Sequence, residues 1–170
     1  ELFQHSRFYP SMDEPAHLYN ANVILNLLKG NNVISEFYSF NNLPVPNWTS
    51  HFMLAVFMSF LKPWLAEKIL IILYVAGMAL SFRYFVKTLN PQNISLSILI
   101  FPFIYSFLFH LGFYNFSISF VLFFLTFSYW LNIYNSKNPW KYLLLFILFA
   151  FTYFSNLLIF GFLTLAICLY

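Results

Sequence analysis

Charge is what this 170-residue chain has least of. Eight Lys or Arg and five Asp or Glu make up 8% of its residues, where a soluble domain carries roughly 25%. With 61% hydrophobic residues, it cannot cover a globular surface with polar side chains. A water-soluble globule is therefore excluded. So is disorder, because a chain this apolar collapses or enters lipid. Cysteine is nearly absent as well: Cys168 stands alone, which rules out a disulfide scaffold and a Cys-based zinc site. No acid follows Glu67, and from Thr88 to Tyr170 the only charges are Lys137 and Lys141. The net +3 forms no basic cluster on a solvated face, so nucleic acid is not an expected partner. Nor is there a Gly-rich phosphate loop, a His-Glu-x-x-His, a Gly-x-Ser-x-Gly or a row of Arg along a helix.

What remains is a polar opening followed by long apolar runs. Residues 1–50 read as an external loop. Within it, Asp13-Glu14-Pro15 opens an amphipathic helix over about 14–29, since Pro is tolerated in the first turn and an acid suits the positive helix end. Leu18, Ala21, Leu25 and Leu28 recur at spacings of three and four, and Gly30 ends the run. Asp13, His17 and Asn20 share another face and point together into whatever the helix covers. Residues 31–50 are rich in Asn, Pro and Ser and read as an extended loop.

The stretch 51–62 is apolar but shorter than the ~20 residues that cross a bilayer, and reads as an interfacial helix. Transmembrane helices follow at about 64–86, 94–111 (kinked at Pro102), 117–134 and 142–170, the last with Asn156 and Gly161 as candidate breaks. Unpaired backbone groups are not tolerated in lipid, and the alternation of a β-barrel is missing. The expected fold is thus all-α, a multipass transmembrane bundle with an external N-terminal loop. The chain opens on Glu and ends inside an apolar run, and so reads as part of a longer protein. Arg83 and Lys87 at one connection, and Lys137 and Lys141 at another, mark the cytoplasmic side by the positive-inside rule, with Lys62 and Lys68 counting against it. His110 and Asn115 then lie outside with residues 1–50. A bacterial cytoplasmic membrane is the expected location.

Among the polar residues, Asp13 and Glu14 fit helix capping and solvation, or chemistry as a general base, metal ligand or cation anchor. His17, one turn on, can pair with Asp13 in acid–base work or complete a metal edge. His110 sits near the outer end of an apolar span, where an ionisable group is either functional or reaching the headgroups. Asn115 and Asn156 suit hydrogen bonds between helices. His51, His110 and Asn115, all on the external side, are the candidates for contacting a substrate.

The order of parts resembles the first third of the GT-C superfamily of polytopic glycosyltransferases, which includes protein O-mannosyltransferases and the aminoarabinose transferases of lipid A. The resemblance rests on Asp13-Glu14-Pro15-Ala16-His17-Leu18-Tyr19, the stretch Asn42-Leu43-Pro44-Val45-Pro46-Asn47-Trp48, the short helix ending Phe60-Leu61-Lys62-Pro63, and a span ending Arg83-Tyr84-Phe85. It implies transfer of a sugar from a polyprenyl-phosphate-type lipid carrier to an unnamed acceptor outside the cytoplasmic membrane. Asp13 would be the catalytic base; Glu14 would assist it or, with Asp13, bind a divalent cation (Mg or Mn). Arg7, Lys29 and Lys62 are the external cations available to the donor phosphate. Two rival readings are a transporter of a lipid-linked substrate and a non-enzymatic multipass subunit of a larger complex.

Overall fold

The computed structural model describes residues 9–170; Arg7 lies outside the described residues. All regular structure among them is helical. The first helix, α1 (Glu14–Leu28), starts with Glu14 in its first turn and Pro15 just inside it, and stops at Gly30, whose φ of +70° few side chains tolerate. Its buried residues include Glu14, His17, Ala21 and Ile24. The seam is therefore rotated away from Leu28, which is exposed, toward residues that read as polar. Burial is tolerated there because the surface beneath α1 offers a carboxyl and a backbone carbonyl as partners. After α2 (Asn32–Ser35) and an extended loop comes α3 (Thr49–Met58), too short to cross a bilayer.

Helix α4 (Pro63–Leu89) runs about 40 Å and α7 (Tyr114–Ile133) about 30 Å at 1.5 Å per residue. They lie parallel. Tyr114 meets Glu67 at one end, Gly77 abuts Val121 in the middle, and Asn132 donates to Tyr84 and Thr88 at the other end. A Cβ on Gly77 would lie 3.0 Å from Val121 Cγ1, so glycine sets how closely the two helices approach. Both are long and apolar enough to cross a membrane, and only 28% of each apolar stretch is buried. Most of that surface faces outward, unlike the covered core helix of a globule.

Because α4 and α7 are parallel, residues 91–113 must return along the whole length of α4. The single helix expected over 94–111, kinked at Pro102, is instead a 3₁₀ segment (Pro91–Ile100), α5 (Phe101–Ile104) and α6 (Phe107–His110). The break falls at Tyr105, while Pro102 sits in the first turn of α5 where it is tolerated. A 3₁₀ helix rises about 2.0 Å per residue, so it covers more distance with few residues. Tyr74 Oη donates to the Ile104 carbonyl at 2.7 Å and fixes the return against α4.

The region expected as one span over 142–170 is two helices, α8 (Pro139–Ser155) and α9 (Leu157–Leu169). They part at Asn156, which is extended and accepts from the N–H groups of Leu158 and Ile159. Gly161 continues within α9. Contacts of Thr126 with Thr152, Thr49 with Ser155, and Trp130 with Tyr170 show that α8 runs antiparallel to α7 and α9 turns back again. The bundle thus has two unlike ends. One gathers α1, α3, Glu67, the 110–113 turn and Asn156. The other carries Arg83, Lys87, Lys137 and Lys141, with no acid among the described residues.

Candidate functional site

The start of α1 lies over a polar pocket of about 490 Å³ at the first of these ends. Its lining includes Asp13, His17, Asn20, Asn47, His51, Phe113, Asn115, Phe116 and Asn156. Asp13, His17 and Asn20 project together because helical positions three and four apart share a face. His51 comes from the first turn of α3, and Asn115 from the first turn of α7.

His17 is held through both ring nitrogens. Nε2 lies 2.9 Å from the Gly112 carbonyl, and Nδ1 lies 2.8 Å from His51 Nε2 and 3.3 Å from Ser50 Oγ. A carbonyl only accepts, so His17 carries its proton on Nε2 and its Nδ1 accepts from His51 Nε2–H. The Tyr114 ring stacks on the other side of the imidazole, 5.1 Å away. Burial pushes the His17 pKa down. Burial, and then the neighbouring His17, push His51 down to about 4. The charge of Asp13 opposes both shifts. At neutral pH the pair is uncharged.

A tight turn holds this arrangement. The Asp13 N–H donates to the Leu111 carbonyl at 3.1 Å, and the next carbonyl, that of Gly112, holds His17. Gly112 has φ +93°, and a Cβ there would lie 2.9 Å from Ser11 Oγ and 3.0 Å from Asp13 Cβ and N. The Asp13 carboxylate, in contrast, makes no capping bond at the start of α1. It lines the pocket unclaimed by backbone donors, beside two neutral imidazoles.

The remaining expected residues go elsewhere or are already engaged. Asn115 is buried, accepting from the Ser50 N–H at 2.7 Å and donating to the Asn47 carbonyl at 2.8 Å, so it ties α3 to α7 as well as lining the pocket. His110 is exposed and bonded through Nδ1 to Tyr9 Oη at 2.8 Å, outside the pocket lining. Glu14 turns away from Asp13 and hydrogen-bonds the carboxyl of Glu67. Asp13 and Glu14 therefore form no common ligand set. No group of three or more His, Cys, Asp or Glu that could hold a metal occurs among the described residues.

Sequence reasoning missed Glu67, Ser50 and Gly112. Glu67 had a signal, since an acid inside an apolar helix needs a partner; the partner, Glu14, is far away in sequence. On the other side of α3, an apolar groove of about 510 Å³ runs between α4, α7 and α8, lined by Trp48, Phe52, Leu70, Leu73, Val121 and Phe151 among others. Comparison of the chain with models of protein families, with curated proteins and with solved structures finds no match.

Proposed function

We propose that this chain is the catalytic portion of a multipass membrane glycosyltransferase, which moves a sugar from a polyprenyl-phosphate-type carrier to an acceptor on the non-cytoplasmic face. The unclaimed carboxylate of Asp13, in a polar pocket at one end of an apolar bundle, carries the reading. Asp13 takes the proton from an acceptor hydroxyl as that oxygen bonds to the anomeric carbon. The bond from that carbon to the carrier phosphate breaks, and the phosphate leaves on its lipid. A base is useful at this place because the lipid tethers the donor phosphate to the membrane surface. His17 and His51 border Asp13 without competing for it as cations. The groove across α3 offers an apolar path beside the pocket for the carrier chain. Membrane integration is supported by the outward apolar faces of α4 and α7, and the cytoplasmic side by the basic end of the bundle.

The rival reading as a non-enzymatic subunit draws on the exposed Leu157, Leu158, Phe162 and Leu165 of α9, which suit a partner helix as well as lipid. Replacing Asp13 separates the two. In cells carrying Asp13→Asn in the full-length protein, one polyprenyl-linked sugar accumulates and its transfer stops. An unchanged lipid profile at normal protein levels refutes the transferase reading.

A further inference from the structure

Directly beneath Asp13, on the inner side of α1, lies a second polar cluster that the proposed chemistry does not use. Glu67, in the second turn of α4, has no exposed surface, and Glu14 is 6% exposed. Glu67 accepts from the Tyr9 N–H at 3.2 Å and from Tyr114 Oη at 3.0 Å, and shares a hydrogen bond with Glu14. The Glu14 N–H donates to Ser11 Oγ at 3.2 Å. Two carboxyl groups that hydrogen-bond one another need a proton between them, because a pair of carboxylates has only acceptors to offer. Among the described residues, the groups facing the pair are Tyr9 on the incoming segment, Tyr114 on α7 and Lys68 on α4, and His110 bonds the Tyr9 hydroxyl.

We infer that Glu14 and Glu67 are positioning residues: the two buried carboxyls share one proton, and that proton holds the first turn of α1, with Asp13 and His17, against the polar pocket. Glu14 directly follows Asp13 and His17 lies one turn on, so what holds Glu14 adds to the bonds that Leu111, Gly112 and His51 make to the same turn. The inference goes beyond the transferase reading and makes the same pocket dependent on pH. Burial first, and then the charge and hydrogen bond of Glu67, raise the Glu14 pKa from its ordinary 4.5 to about 7. The folded turn thus keeps a proton that an opened turn gives up, and its closure weakens as pH climbs through 7.

Hydrogen–deuterium exchange of residues 13–20 tests this in the full-length protein in detergent, between about pH 6 and 8.5, with intrinsic rates corrected for pH. The lower bound lies above the point near 4 where His51 titrates. Protection in the wild type should fall roughly tenfold across that range and level off above it. Glu14→Gln, which keeps a donor for Glu67 without needing a proton, should hold full protection at both ends. Glu14→Ala should lose it at both. Glu67→Gln, which removes the other half of the pair, should also give a flat, protected profile. A flat wild-type profile overturns the inference, as does a wild-type slope surviving in folded Glu14→Gln or Glu67→Gln. The readout needs no transfer activity, so either failure leaves the role proposed for Asp13 standing.

Discussion

Gly112→Ala should dismantle the pocket from the side of the turn. At φ +93° an L-residue is strained by roughly 1–2 kcal/mol. The added Cβ also meets Asp13 N and Cβ at 3.0 Å, and backbone cannot swing aside as a side chain can. Relief requires the Leu111–Gly112 turn to move away from α1. That lengthens the Asp13 N–H bond to Leu111, which is half-buried, and the His17 Nε2 bond to Gly112, which is buried. Leaving one such group unsatisfied costs about 1–3 kcal/mol, so the total is about 2–5 kcal/mol. In a chain of this length each kcal/mol moves the midpoint by roughly 2–4 °C, and thermal unfolding in detergent should show a fall on the order of 10 °C. Gly161→Ala is the matched control. Gly161 lies inside α9, and a Cβ added there would meet no atom within 4 Å, so alanine should be neutral or stabilise the helix by up to about 1 kcal/mol. Equal midpoints for the two variants would refute the claim that Gly112 fixes Asp13 and His17.

Other outcomes follow from the same geometry. His17 and His51 have folded pKa values below their ordinary 6.5, so an unfolded chain binds protons there first and stability drops as pH falls from about 6.5 toward 4. For His51, discounted for solvent screening because it is only half-buried, the loss is about 1 kcal/mol; a melting series in acid should show His51→Gln reducing this slope, and an unchanged slope would contradict it. Asn156→Ala removes the side chain that caps α9 at Leu158 and Ile159, and should lower stability by about 1 kcal/mol in the same assay. Asn156→Ser, which keeps a capping oxygen, should recover most of that loss.

The long elements were legible to within a few residues: the spans read at about 64–86 and from 142 are helices Pro63–Leu89 and, from Pro139, α8. Their ends are set by Pro63 and Asn90 and by Asn138-Pro139, since proline and asparagine act on the backbone within a few residues of themselves. The return along α4 was not legible over 94–111. Nothing local in that stretch states that α4 and α7 are parallel, and the distance to be covered is a property of the whole bundle. The same division runs through the site. The shared face of Asp13, His17 and Asn20 follows from helical period alone. The His17–His51 pair needs α3 docked against α1, and the Glu14–Glu67 pair needs α4 beneath it.

Helical period also explains why the Asp-Glu dipeptide divides its labour. Consecutive residues at a helix start project about 100° apart, so two adjacent acids cannot both face one pocket while the helix lies flat on its support. If Asp13 lines the pocket, Glu14 is driven toward the bundle, where an acid requires either a cation or a proton. The facing side chain is another acid, Glu67; the donors bonded to it, Tyr114 and the Tyr9 amide, are neutral, and Lys68 is the one cation among the described residues that faces the two acids. A single proton satisfies this arrangement without placing a net double charge inside it. An unclaimed Asp13 and a proton-sharing Glu14 are therefore two consequences of one packing choice at the start of α1.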